Sequence, residues 1–211
     1  MGGSTPGASR GVALAMFSFA WLLAAGGSGA AQPRVCRVET VQGEVVLIHA
    51  GGQIGVTSNM TLSINDQLRT GASGRLEIVC DDQVRFTLGA ETEIGLGRLT
   101  GEKGNRSTIS MSLHQGIARF VAPVRTWGSL RIRGPVAVAS VRQTEWIMEA
   151  PGGATNVFVV SGRVAVAAKH GRPVELAAGD GVDVAADGTM AVPRKWGAKR
   201  VEDVRNRLGL R

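Results

Sequence analysis

Tyrosine is absent from this 211-residue chain, and aromatic residues of any kind make up only 4% of it. Four tryptophans and five phenylalanines must therefore supply all the aromatic packing. There are three histidines, His49, His114 and His170. They fall beside turns in separate segments, and no two have a metal-site spacing such as His-x-x-x-His. No Gly-x-Ser-x-Gly elbow, phosphate-binding loop or dinucleotide fingerprint occurs. Asp81-Asp82 and Glu91-x-Glu93 bring carboxylates together, but adjacent acids at a hairpin end are ordinarily solvated turn residues. Catalytic residues, metal ligands and cofactors are accordingly not expected. Lysine is scarce before the last twenty residues, and long helical periodicity is missing between Arg34 and Val192. Those gaps leave a β-rich chain.

The first 31 residues read differently. Arg10 closes a polar start, Gly11 to Ala25 is apolar, and Gly26-Gly27-Ser28-Gly29-Ala30-Ala31 is built of small residues. This is the order of a secretory signal peptide, with cleavage expected after Ala31. The alternative is a retained anchor, but the apolar run of fifteen residues is shorter than the ~20 needed to span a bilayer. Cys36 follows Pro33-Arg34-Val35, which is not a lipobox. A periplasmic or secreted bacterial domain is expected, with no membrane segment after cleavage. In that oxidising setting Cys36 and Cys80 are expected to pair. The expected domain layout is residues 1–31 as signal, 32–192 as a β-domain and 193–211 as a basic tail or helix.

The formal charge is +7. Removing Arg10 leaves +6, and residues 194–211 hold seven basic side chains against Glu202 and Asp203. The tail thus carries +5 and the body about +1. Basicity concentrated in a tail is more often a solvated face than a recognition element, so nucleic acid is not an expected partner. A tail that binds an anionic surface is a weaker alternative.

Glycine is abundant at 30 residues and is scattered singly through the chain. Between the glycines lie short alternating runs. Leu76, Ile78 and Cys80 alternate with Glu77 and Val79, and after Asp81-Asp82 the residues Val84, Phe86 and Leu88 alternate with Arg85 and Thr87. That pair is the clearest hairpin. Val38 to Ile48 reads as a strand or two broken at Gly43, and Ile109 to Leu113 and Ile117 to Val121 as two more. Ser140 to Ala168 is the richest stretch, read as a core hairpin: Val157–Val160 and Val164–Val166 flank Ser161-Gly162, with Trp146 just before the Pro151-Gly152-Gly153 turn. Val174–Leu176 and Gly181–Val184 read as a last strand pair, and only Ala198 to Leu208 reads as helix. The expected fold is all-β, an antiparallel β-sandwich or β-roll of many short strands with a short C-terminal helix. A faint repeat links Val41-Gln42-Gly43-Glu44-Val45 to Val160-Ser161-Gly162-Arg163-Val164, each followed downstream by Leu-x-x-[Asn/Gly]-Asp at Leu62–Asp66 and Leu176–Asp180. It suggests two similarly built layers, or successive rungs of a roll.

In order, these pieces resemble the FecR family of bacterial periplasmic domains. The matching elements are Gly43-Glu44-Val45, the segment from Leu62 through Asp66 and Leu68 to Thr70-Gly71, the hairpin around Asp81-Asp82, Gly116-Ile117-Ala118, Val141 to Trp146, and Gly162-Arg163-Val164-Ala165-Val166. Asp66, Thr70, Asp82, Thr144, Trp146 and Gly162 carry the family pattern. Asn65, Gln83 and Gln143 stand where the family has glycine. Asn tolerates a left-handed backbone far better than Gln. The resemblance implies a β-domain in which Thr144, Glu145 and Trp146 are core-strand residues. Well-known members are sigma-factor regulators with a cytoplasmic segment and membrane helix upstream; the signal peptide here implies a stand-alone secreted member without the anti-sigma role. The expected function is a non-enzymatic interaction module, in envelope signalling or envelope-polymer binding, with an envelope protein or polymer as partner. The other reading is an envelope carbohydrate-active or hydrolytic enzyme without a recognisable motif. Trp127 and Trp196 are the expected exposed binding residues, since tryptophan is enriched at binding hot spots.

Overall fold

The computed structural model describes residues 1–3, 36–80, 84–100, 107–122, 127–141 and 144–210, without the side chains of 98–100, 107–108 and 127–129. The chain divides into Met1–Ala30 and Ala31–Arg211. The expected signal peptide lies almost wholly outside the described residues, and so do Asp82, Gln83 and Gln143.

Ala31–Arg211 forms two β-sheets packed face to face. Sheet A runs in the order β4 (Thr61–Leu62), β1 (Cys36–Gln42), β6 (Arg75–Cys80), β7 (Val84–Leu88), β9 (Ser107–Ala122), β12 (Thr144–Ala150), β13 (Thr155–Ser161), β16 (Asp180–Val184) and β17 (Arg194–Lys195). Sheet B runs β3 (Gly52–Gly55), β2 (Val45–His49), β5 (Gln67–Thr70), β8 (Glu93–Thr100), β9 again, β10 (Trp127–Arg133), β11 (Ala137–Val141), β14 (Arg163–Ala168) and β15 (Val174–Ala177). All pairings are antiparallel except β9 with β10. The helix α1 spans Ala198–Arg207. The fold is therefore the expected sandwich with a short C-terminal helix, containing one parallel pair.

The alternation read from the sequence fixes which residues enter the core. Leu76, Ile78 and Cys80 of β6, Phe86 and Leu88 of β7, and Trp146 and Met148 of β12 are all at most 1% exposed. At the centre, Phe120 lies 5.5 Å edge-on from Phe86 and 5.0 Å from Trp146 in a stacked pair. Cys36 and Cys80 sit opposite each other on β1 and β6 and are disulfide-bonded.

The long strand β9 holds the two sheets together. The sequence suggested two strands broken at His114-Gln115-Gly116. Instead one 16-residue strand pairs with β8 and β10 in sheet B through its first half, and with β7 and β12 in sheet A through its second. Gly116, with φ +91°, forms the corner, and a Cβ there would lie 2.4 Å from Thr92 Oγ1.

The faint repeat has a structural basis. At Gly43 (φ +65°) and Gly162 (φ +84°) the chain leaves sheet A for sheet B. At Asn65 (φ +72°) and Gly179 (φ +82°) it crosses again, but in opposite senses: from β4 in sheet A to β5 in sheet B in the first copy, from β15 in sheet B to β16 in sheet A in the second. The following aspartate seals each corner. Asp66 accepts the Ser63 N–H at 2.7 Å, and Asp180 accepts the Ala177 N–H at 2.9 Å. Two pairings expected from sequence are thus corrected. The hairpin in Ser140–Ala168 is β12 with β13, while β13 and β14 diverge into different sheets at Gly162. Likewise β15 and β16 are not a pair, because Gly179 sends them apart.

Candidate interaction surface

The outer face of sheet A is half apolar. Ile117, Ile147 and Phe158 point away from the main core yet are at most 5% exposed. Ile147 lies opposite Phe158, and Ile117 lies diagonally across from Ile147, opposite Glu149; all three would be wet without a cover. The cover is Trp196 with Val204 of α1 and Leu208, the residue that caps its C-terminal end. Glycines seat both ends of this cap. The Trp196 indole lies on the backbone of Gly181, where a Cβ would be 2.2 Å from its Nε1. At the far end a Cβ on Gly89 would sit 2.8 Å from the Arg207 carbonyl oxygen.

Charge pins the cap as well. Arg207 Nη1 donates to Glu149 Oε1 at 2.5 Å, with the Glu149 side chain only 8% exposed. Arg200 forks onto Asp183 at 2.9 and 2.5 Å, which raises its already high pKa. Its guanidinium lies 3.5 Å above the Trp196 ring, and the other face of that ring stacks on Phe158 at 5.0 Å. Lys195 bonds to Asp180 at 2.9 Å and, with the Ala177 N–H, holds that carboxylate below the ordinary range. The tail's cations are thus largely engaged by the body's carboxylates. Trp196, expected to be exposed, is 8% exposed, because Phe158 leaves an apolar outer face that its ring covers. Trp127 starts β10, and its side chain is outside the description.

A groove of about 370 Å³ opens beside the C-terminal end of α1, lined by Thr40, Gln42, Arg75, Glu77, Thr87 and Asn206 among others. Arg75 spans its edge, donating to the Asn206 carbonyl at 3.3 Å, where a cation suits a helix C-terminus. The Glu77 carboxylate accepts a bond from Thr40 at 3.2 Å. Among the described residues no cluster of three or more His, Cys, Asp or Glu side chains could hold a metal ion.

The described residues carrying the family pattern do not converge on one site; each supports a corner or the core, and Asp82 lies outside the described residues. Asp66, 2% exposed, caps its turn and pairs with His49 Nδ1 at 2.5 Å. Thr70 donates to the Gly89 carbonyl at 2.7 Å and accepts the Thr92 N–H at 2.8 Å. Thr144 donates to the Arg163 carbonyl at 2.9 Å, next to Gly162. Trp146 is fully buried, and Glu145 pairs with Arg119 at 2.8 Å. The sequence did carry a signal for the covered face: Trp146-Ile147-Met148 and Val157-Phe158-Val159-Val160 break alternation, as strands covered on both faces do.

Sheet edges differ in length. Sheet A ends on the two-residue strands β4 and β17. Sheet B ends on β3 and β15, four residues each. Pro173 precedes β15, and Glu175 on it pairs with Arg163. All four residues of β3 are exposed, and Ile54 is 54% exposed although its register partner Leu47 is buried. Among the described residues no helix is long and apolar enough to cross a membrane.

Two crystal structures of a protein from Parabacteroides distasonis assigned as an anti-sigma factor superpose on 64% of the chain, with TM-scores of 0.54 and 0.52 at 16% and 17% identity. The match spans 62% of the length of those chains, and at such identity the likeness is one of fold. No curated protein matches the chain. Residues 66–165 match the family described as FecR protein, the stretch from the sealing aspartate of the first corner, past Gly162, to the middle of β14. Over residues 66–165, just under half of its length, the chain therefore resembles the FecR proteins.

Proposed function

We propose that the chain is a non-enzymatic binding module, exported to the periplasm or beyond, that takes part in envelope signalling by holding a protein partner. The observation that carries this reading is the edge strand β3. It is long enough to pair and fully exposed, with an apolar side chain at its middle and no proline or charge to guard it. Addition of a strand to such an edge gives affinity through backbone hydrogen bonds, and Ile54 supplies an anchor. The disulfide suits an oxidising compartment, and the fold shared with a protein assigned as an anti-sigma factor supports a signalling context.

The test is site-specific photo-crosslinking in envelope extract of the full-length protein. A crosslinker at Gln53 in β3 should give one stoichiometric protein adduct, and the Ile54→Lys variant should abolish it. A crosslinker at Glu202 on α1 should not give that adduct. The groove beside α1, with Glu77 on its wall, is where the hydrolase reading would place its chemistry. Turnover of a glycan or ester that is lost in Glu77→Gln would overturn the module reading.

A further inference from the structure

The outer face of sheet B presents a different chemistry from its edge. On β10, Leu130 and Ile132 point into the core, so Arg131 and Arg133 point outward, and both are exposed. Register fixes their neighbours. Arg131 lies between Ser110 of β9 and Ser140 of β11, and Arg133 between Ser112 and Val138. One strand farther out are Gly95, opposite Ser112, and Ala165 and Ala167, opposite Ser140 and Val138. Two guanidiniums about 7 Å apart along the strand thus rise from a floor of small side chains roughly 20 Å wide across five strands.

Among the described residues their charge is uncompensated. Arg69 and Arg163 on the same face pair with Glu93 and Glu175, and Arg85 and Arg119 on sheet A pair with Glu39 and Glu145. Arg131 and Arg133 have no ion pair or hydrogen bond among the described residues. The described carboxylates on this face, Glu93 and Glu175, are already engaged. Such a face is complementary to an anion. Its described side chains include no tryptophan or phenylalanine on which a base could stack. Its centre has no large apolar anchor of the kind that dominates protein hot spots. It does have three hydroxyls, on Ser110, Ser112 and Ser140, that can donate to and accept from a polyol.

We propose that this face binds a linear acidic polysaccharide. Arg131 and Arg133 form forked bonds to successive acidic groups, and the three serines bond to sugar hydroxyls. This goes beyond the module reading, which places a protein partner on the edge strand β3, by assigning a second, separate site to a polymer. It uses the face and not the edge, so the crosslinking experiment and the one below fail independently.

The test titrates the full-length protein with fluorescently labelled alginate oligomers, using neutral dextran oligomers and single-stranded DNA as comparisons. Alginate should bind in a salt-weakened manner, dextran should not bind, and DNA should bind more weakly than alginate. R131A/R133A should lose at least about tenfold in affinity, given the strength of charge-assisted bonds. R131K/R133K should fall between that pair and the parent. R172A/K199A removes the same charge from two exposed positions elsewhere and should change affinity by less than about twofold. Thermal unfolding of each variant confirms that it folds. The proposal is overturned if the parent does not bind alginate, if R131A/R133A stays within twofold of the parent, if R172A/K199A loses as much, if the lysine pair matches the alanine pair, or if DNA binds as tightly.

Discussion

Gly181 is the position where one added methyl group tests how the helix cap is held. Its backbone is the seat of Trp196: a Cβ would lie 2.2 Å from Nε1, 2.5 Å from Cε2 and 2.6 Å from Cδ1 of the indole. Gly181→Ala therefore leaves two outcomes. Either the strand and ring absorb the overlap, at the ~1–3 kcal/mol typical of overpacking, or the indole lifts. Lifting loses the Phe158 stack, about 0.5–1.5 kcal/mol, and the Arg200 contact, about 0.5–2 kcal/mol. Against this, alanine restricts the unfolded chain and returns about 0.4–1 kcal/mol. The net expectation is a loss of about 1.5 kcal/mol, or roughly 3–6 °C in Tm for a domain of this size. Urea unfolding followed by tryptophan fluorescence measures it. The decisive comparison is a cycle with Trp196→Ala, in which Gly181→Ala should become neutral or mildly stabilising. Trp196→Phe should be tolerated better than Trp196→Ala, because the indole N–H has no hydrogen-bond acceptor among the described residues. An equal penalty in both backgrounds would refute the steric account, as would a penalty below about 0.5 kcal/mol in the parent.

Three further outcomes follow from the same structure. Replacing Cys36 and Cys80 by alanine opens a loop with a sequence separation of 44 and should cost about 4 kcal/mol in denaturant unfolding on chain-entropy grounds. Glu149→Ala takes the buried carboxylate from under Arg207 and leaves Arg200 with Asp183 alone, and should cost about 1–3 kcal/mol, since both guanidiniums keep some solvent; amide exchange should rise first across 198–208. Asp180 is held below its ordinary pKa by the Lys195 hydrogen bond, then by the Ala177 N–H, so its contribution is present above the unfolded value near ~4 and lost as pH falls through the folded one. The NMR titration midpoint of Asp180 should accordingly lie below that of an unfolded peptide and return toward it in Lys195→Ala.

What was legible in the sequence was local. Alternation in β6 and β7 gave their pairing and their buried faces, and the placing of Asn65 where the family has glycine matched its φ of +72°. What was not legible was which sheet each strand joins. Ser161-Gly162 reads as a hairpin turn and Gly179-Asp180 as a loop, because a left-handed glycine permits a sheet-crossing corner as readily as a turn. Gly116 was misread for the same reason. The docking of the tail was hidden by its composition: seven basic residues look like a solvated face until Glu149, Asp180 and Asp183 are seen on the strands beneath. The apolar face that Trp196 covers is spelled out by Ile117, Ile147 and Phe158, three residues on three strands that meet only through register.

The cap on sheet A also imposes an order in time. Ile117, Ile147 and Phe158 are synthesised 38 or more residues before Trp196 and up to 91 before Leu208, the residues that cover them. Until residue 208 has emerged, the sandwich can close its main core but must present a bare apolar face to its surroundings. A chain stopped short of α1 would be folded and adhesive together. Handling by holdase chaperones should therefore depend on the last fifteen or so residues being present, more than on the strength of the β-core itself.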